Sequence, residues 1–549
     1  MRKVIKKVKF VALALALFTV AGFLNDNGII NLGFLSNTVY AETTLTSDDG
    51  LWNFTEAGEI GNYLGSETVV TIPEQLTSNS VTYNITKIPW NALSWNNNIS
   101  QINIGSNITY IANSPFADMT SLKDIKVSSG NANYCDINGI LYNKGKSKLM
   151  RFPQMNSTEV LELPDTFVEC NINALEKCSN VHKLKIPASY RGKASSAGDT
   201  LTYKSFPNLE NIEVSQENVN YSSQDGVLYN YDKSMLVWYP AKRFATDFTF
   251  PDSVKSIANN AFENATNLEN VNLTSNIDTI KSCFSGCKLT SINHIKTREE
   301  YINWDTSIKS VFQNNLNVFE RQPFLKSLVE QEVQYAFDNY IQAGMNDYQK
   351  IKALYNYVTN KVSYITSGSI SDSKNHCISS IFLGDSTVCE GYTLGMSLLL
   401  DKAGITNCPV SGGNHAWNLV YINDTWLQID ATWDDEGDQA GTSYFLKTAK
   451  EYTELGHPKY NYLCNSNFTD YSYGKDKNIY AKILPKCDGI IGDINKDGIL
   501  NHQDLLSMQN EIRSYSMYWQ EGYYNVLADM NRDGQINSDD YNLLNDLVY

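Results

Sequence analysis

From about residue 60 to residue 296, apolar side chains recur in short runs separated by polar positions. Ile99-x-x-Ile102-x-Ile104, Leu122-x-x-Ile125-x-Val127, Val181-x-x-Leu184-x-Ile186, Leu209-x-x-Ile212-x-Val214 and Leu268-x-x-Val271-x-Leu273 share one form. Each predicts a short strand with a single inward face. An aromatic anchor stands six residues ahead of two of them, at Phe116 and Phe262. A longer echo overlies the short one. Gly139-Ile140-Leu141-Tyr142-Asn143, closed by Pro153, returns 87 residues later as Gly226-Val227-Leu228-Tyr229-Asn230, closed by Pro240, and Leu122 to Leu209 gives the same offset. One such unit cannot bury its apolar face alone, so neighbours must stack into a solenoid. A solenoid offers a curved surface for protein or glycan; the alternative is a spacer without a ligand.

Helical spacing takes over after Cys389, where Tyr392, Met396, Leu399 and Leu400 recur on one face. Cys389 then lies in the first turn, where free backbone amides and the helix dipole favour a thiolate. The same amides can donate to an oxyanion forming on an attacked carbonyl. Next, His415–Ile422 and Thr425–Thr432 alternate as two strands around Asn423-Asp424. If Ile422 faces Thr425, then Trp417 faces Asp430 and His415 faces Thr432. His415 and Asp430 become diagonal neighbours on one face, roughly 7–8 Å apart by backbone. A thiol, an imidazole and a carboxylate in that relation form an acyl-transfer triad. Asp430 would hold the imidazole, while His415 keeps Cys389 ionised and protonates a leaving amine.

Two further loops concentrate oxygen ligands. Asp493, Asn495, Asp497, Asn501 and Asp504 occupy positions 1, 3, 5, 9 and 12 of a calcium loop, with Gly498 at the sharp turn and Ile499 offering its carbonyl. The pattern repeats 36 residues on as Asp529, Asn531, Asp533, Asn537 and Asp540, with Gly534 and Gln535 in the matching places. Two matched loops predict two structural Ca2+ ions. Each leads into an expected helix, with Leu505, Met508 and Ile512 on the first and Leu543, Leu544 and Leu547 on the second. A segment this small is expected to need its calcium to fold.

Composition narrows the classes. Met1–Lys9 is basic and is followed by the apolar stretch Phe10–Leu24, the form of an export signal, with Val39-Tyr40-Ala41 as its expected cleavage site. No other apolar run approaches membrane length, so a secreted chain is expected. A net charge of −16 argues against nucleic acid or anionic membrane bound by charge alone. Ten cysteines in 549 residues do not make a disulfide-dense scaffold, and six scattered histidines suggest no zinc constellation, although Cys283 and Cys287 are close in sequence. No carboxylate pair suited to glycoside cleavage stands out.

These motifs carry three resemblances. The repeats are similar to the leucine-rich repeats of bacterial surface proteins. Cys389-Glu390-Gly391-Tyr392, Asn414-His415-Ala416-Trp417-Asn418 and Asp430-Ala431-Thr432-Trp433-Asp434 resemble the transglutaminase-like (papain-like cysteine) superfamily, with Asp347–Val358 similar to its leading helix. That likeness covers about residues 325–455 and implies catalytic roles for Cys389, His415 and Asp430, with His376 at most lining the site. The paired loops resemble a type I dockerin over residues 488–549, which implies a cohesin partner on a scaffoldin and thus a cellulosome. In that family positions 10 and 11 recognise the cohesin; here they are His502-Gln503 and Ser538-Asp539, so the two halves are not equivalent.

The expected organisation is therefore a signal peptide (1–41), a leucine-rich-repeat solenoid (42–297), an α+β papain-like domain (298–485) and a small all-α dockerin (488–549). Arg298–Phe337 is assigned to the helical lead-in of the thiol domain. The expected activity is cleavage or transamidation of protein amide bonds, with a lean to hydrolysis because no amine-acceptor site stands out. The alternative is a non-catalytic adhesion or glycan-binding component taking part in polysaccharide degradation.

Overall fold

The computed structural model describes residues 44–90, 92–170, 173–175, 177–192, 201, 204–365, 372–435, 441–464, 484–518 and 524–549. The expected export segment lies outside them. No helix among the described residues is long and apolar enough to cross a membrane.

The repeats form short parallel ladders. Val69–Thr71, Gln101–Ile104 and Asp124–Val127 pair side by side, which stacks the buried Val70, Ile102 and Ile125. Strands begin two residues later than the L-x-x-I-x-V pattern suggested: the leading Leu122, Val181, Leu209 and Leu268 sit in the approach to the strand, yet all are buried. Phe116 and Phe262 are also fully buried, as expected of anchors.

The longer echo is structural. Asp124–Val127, Tyr134–Ile137, Ile140–Asn143, Lys148–Arg151 and Val160–Glu162 recur at the 87-residue offset as Asn211–Val214, Tyr221–Gln224, Val227–Asn230, Met235–Trp238 and Asp247–Thr249. Even the break in register recurs, between Leu141 and Tyr142 and again between Leu228 and Tyr229. So does a buried asparagine. Asn131 Nδ2 donates to the carbonyls of Gly105 and Ile108, and its Oδ1 accepts from the amides of Asn133 and Tyr134. Asn218 makes the same four bonds with Pro187, Tyr190, Asn220 and Tyr221.

A solenoid end left open would expose its apolar face. Here helices Arg298–Ile302, Thr306–Gln313, Leu316–Phe319 and Pro323–Tyr340 cover it. Phe262, Phe284 and Phe319 stack in a column at 5.0 and 5.2 Å. Gln322 closes the last turn, accepting from the Leu289 amide and donating to the Phe284 carbonyl. One apolar core consequently runs from the last repeats through the thiol domain to the C-terminal module.

Beyond the cap, helix Asp347–Thr359 begins at a reciprocal cap between Asn346 and Gln349 and packs on helix Cys389–Lys402. Behind them stands a four-stranded antiparallel sheet ordered Thr425–Ile429, His415–Ile422, Asn407–Gly412 and Tyr462–Leu463. The C-terminal module has helices His502–Tyr518 and Ser538–Val548. Leu505, Met508 and Leu544 are buried, but Leu543 and Leu547 remain 43% and 63% exposed. The second helix therefore presents part of its expected apolar face outward.

Replacing Asn131 or Asn218 by alanine leaves buried carbonyls and amides without partners, so each change is expected to lower stability by about 1–3 kcal/mol, read from the denaturation midpoint of the repeat region.

Candidate active site

Cys389 is the first residue of its helix, preceded by extended Val388, and no side chain caps that end. Its first-turn amides thus have no capping side chain as partner. The chain passes close beneath: a Cβ at position 391 would run into Thr387 Oγ1 and Ser380 Oγ, which is why the third residue of Cys389-Glu390-Gly391 is glycine. Cys389 is partly exposed. Beside it Glu390 pairs with His376 Nδ1 at 2.9 Å, so His376 lines the site through a carboxylate.

His415 opens its strand directly after a two-residue turn in which Gly413 and Asn414 both have positive φ, at +60° and +62°. Its ring stacks against Trp417 and Trp433, with centroids 5.5 and 5.4 Å away. Nε2 meets Asp430 Oδ2 at 2.6 Å. With Nε2 engaged by Asp430, Nδ1 is the ring nitrogen left open, and Cys389 acts on the imidazole to raise it.

Asp430 has no exposed surface. Its Oδ1 accepts from the amides of Thr432 and Trp433, and its Oδ2 receives His415 and, at 2.8 Å, His457. The hairpin register holds as expected from Ile422–Thr425 to Asn418–Ile429. There the pairing ends. His415 is paired instead with Gly412, and Thr432 lies in a turn. The His415–Asp430 contact therefore arises because the chain bends inward after Ile429, and not from a diagonal across a continuing ladder. Tyr355 fixes that bend, its hydroxyl bridging the Asp430 carbonyl oxygen at 2.7 Å and Asp434 Oδ2 at 2.5 Å.

Electrostatics follow from this packing. Burial by itself disfavours charge on His415, but Asp430 and Cys389 outweigh it and raise the imidazole to about 9. Burial likewise works against ionised Asp430, yet the two histidines hold it below its ordinary range. Asp434 is pushed up, chiefly by burial. Burial pushes Cys287 and Cys487 up to about 12, Cys283, Cys377 and Cys464 well above the ordinary range, and Cys135 up as well. Sequence reasoning missed His457, Tyr355 and the Trp417 Nε1–Gln428 bond. None has a telling spacing; His457 follows a short helix, Ala449–Glu454, that carries no motif.

The second candidate site is the pair of acidic loops. In each, the first aspartate accepts from two loop amides: Asp493 from Asp497 and Gly498, Asp529 from Asp533 and Gly534. The last aspartate accepts from three: Asp504 from Ile494, Asn495 and Asn501, Asp540 from Met530, Asn531 and Asn537. Gly498 and Gly534 take φ +85° and +86°, conformations that favour glycine. Burial and the neighbouring Asp540 help push Asp529 up to about 6, although Tyr524 and Arg532 oppose it. Fully buried carboxylates gathered with Asn and carbonyl oxygens are a donor set suited to a hard divalent cation. His502, Gln503, Ser538 and Asp539 are all exposed, His502 bonding the Tyr549 hydroxyl at 2.9 Å.

Family models match residues 70–143 and 241–342 as a BspA-type leucine-rich repeat region in six copies. They match 335–431 as the transglutaminase-like superfamily and 491–548 as a dockerin type I domain. The chain is thus a leucine-rich-repeat protein with a transglutaminase-like domain and a C-terminal type I dockerin. Kyphoscoliosis peptidase of Mus musculus is 22% identical over 174 residues, 28% of this chain and 26% of that protein's length. Among solved structures, a leucine-rich repeat protein from Eubacterium ventriosum is 22% identical, covering 46% of this chain and 72% of its own, with a TM-score of 0.28. A structure described as a TGase is 19% identical, covering 21% of this chain and 33% of its own, with a TM-score of 0.18.

Tyr355→Phe would leave the buried Asp434 carboxylate and Asp430 carbonyl short of a donor. The expected cost is about 1–3 kcal/mol of thiol-domain stability, measured by denaturant titration against wild type.

Proposed function

We propose that the protein is a cellulosome-docked thiol enzyme that acts on amide bonds of a protein or peptide. The observation that carries this reading is His415, bonded at 2.6 Å to the buried Asp430 and raised to about 9 by Asp430 and Cys389 against its own burial. Cys389 Sγ attacks the amide carbonyl carbon. The first amides of helix Cys389–Lys402 face the oxyanion that forms. His415 delivers its proton to the nitrogen as the carbon–nitrogen bond breaks, leaving a thioester on Cys389. Water, deprotonated by His415, then releases a carboxylic acid; a lysine amine in its place would give a crosslink. Asp430 keeps Nε2 engaged throughout, so Nδ1 serves the reaction.

The dockerin supplies attachment. Asp493, Asn495, Asp497, Asn501 and Asp504 with the Ile499 carbonyl would hold one Ca2+; Asp529, Asn531, Asp533, Asn537 and Asp540 with the Gln535 carbonyl would hold the other. Bound calcium would neutralise the buried carboxylates, and the exposed His502, Gln503, Ser538 and Asp539 would meet a cohesin. Exposed Leu543 and Leu547 add apolar surface on the same module. On the repeats, Trp90 and Trp95, 67% and 63% exposed, offer faces on which a peptide or glycan would stack.

Iodoacetamide at neutral pH should alkylate Cys389 and leave the buried Cys283, Cys287, Cys464 and Cys487 untouched, as read by peptide mapping. Cys389→Ala should abolish the label, and His415→Ala should slow it; labelling confined to other cysteines would refute the enzyme. Amide cleavage should fall as pH rises through about 9, where His415 loses the proton the leaving amine needs. By the same linkage, the stability drawn from the His415–Asp430 pair is complete below about 6.5, the ordinary histidine value, and lost through about 9.

Calorimetric titration of the chelated protein should show two Ca2+ ions bound, and Asp504→Ala should remove one. Loading should raise the unfolding temperature of the C-terminal module.

A further inference from the structure

His457 is fully buried at the back of the site, on the same Asp430 oxygen that receives His415. Its Nε2 lies 2.8 Å from Asp430 Oδ2, and its Nδ1 lies 3.0 Å from the Pro458 carbonyl oxygen. A carbonyl only accepts. Asp430 also only accepts, because it already receives two amides and His415. Both nitrogens of His457 therefore face acceptors, and both bonds are satisfied only when both carry hydrogen.

We propose that His457 is a protonated positioning residue whose positive charge balances the Asp430 carboxylate, so that the Cys389–His415 pair works in a site of net zero charge. The proposal rests on the triad reading and deepens it. With Asp430 negative and His457 positive, moving the proton from Cys389 to His415 creates no net buried charge. Without His457 the buried cluster carries one uncompensated negative charge, and His415 alone must answer it. The imidazole would then hold its proton too tightly to release it to the leaving amine.

The surroundings agree with a charge held in place. Trp417, Trp433, Tyr444 and Tyr452 surround the ring, with centroids 4.3 to 5.7 Å away. The aromatic faces favour a cation. Other ionisable groups bear on it. His415 lies 5.4 Å away between ring centroids, and the Asp434 carboxyl interacts electrostatically with Asp430. Lys450, Lys459, Lys486, Cys487 and Asp488 line the cavity of about 640 Å³ that His457 borders. The lysines would favour the neutral ring, so direct contact with Asp430 must outweigh them.

The test uses the full-length protein with 13Cε1-labelled histidine, in which NMR follows the six histidines against pH. His457→Gln keeps an amide donor toward Asp430 while removing the charge, and an unchanged unfolding temperature would show that it folds. In wild type the His457 signal should report a doubly protonated ring at pH 7. In His457→Gln the His415 midpoint should rise by about 1 unit or more, the size of removing a like charge at this range. A neutral wild-type His457 at pH 7, or an unmoved His415 midpoint in the variant, would overturn the proposal. Alkylation of Cys389 in the same wild-type sample reports on the triad alone, so the two readings fail separately.

Discussion

A carboxylate with no exposed surface can persist only if its charge is answered by donors around it, and Asp430 has four: two backbone amides and two imidazoles. Much else in the thiol domain is arranged to make that possible. Chain reversal after Ile429 brings Thr432 and Trp433 back over the carboxylate; Tyr355 pins the reversal from the neighbouring helix; the Gly413-Asn414 turn delivers His415 at the first position of its strand. Trp417 and Trp433 keep water from His415 by stacking on it, which strengthens the pairing with Asp430.

The same logic of covering what cannot stand exposed governs the larger architecture. Parallel repeats leave an apolar end, and the chain closes it with the helices that begin the thiol domain. The column Phe262–Phe284–Phe319 continues the repeat packing into those helices, while Gln322 replaces the ladder bonds that a further repeat would have made. Solenoid and thiol domain thus share one core, and neither boundary helix can be assigned to one side alone.

Much of this was legible in the sequence because period and spacing are local properties. The 87-residue echo reappears strand for strand, Cys389 starts its helix, and the loops at Asp493 and Asp529 close on their own amides. What was illegible depended on where the chain goes after a regular element stops. Extrapolating the hairpin past Ile429 set Asp430 beside His415 for the wrong reason. His457 could not be seen at all, since its part comes from meeting a residue 27 positions earlier with no periodic relation between them. The apolar face expected at Leu543 and Leu547 failed differently: the pattern shows which side of a helix is greasy, not whether this chain supplies the cover.

The dockerin does not hang freely from its neighbour. Asn423 donates to the Tyr524 carbonyl and accepts from the Val526 amide, Tyr348 donates to the Arg532 carbonyl, and Arg532 Nε reaches the Leu446 carbonyl. Asn423 forms the tip of the hairpin whose strands run back to His415 and to the residue before Asp430. A load carried through the dockerin would reach the thiol domain through these contacts, Asn423 among them. Through Asn423 such a load would bear on the same hairpin that carries His415 at its far end.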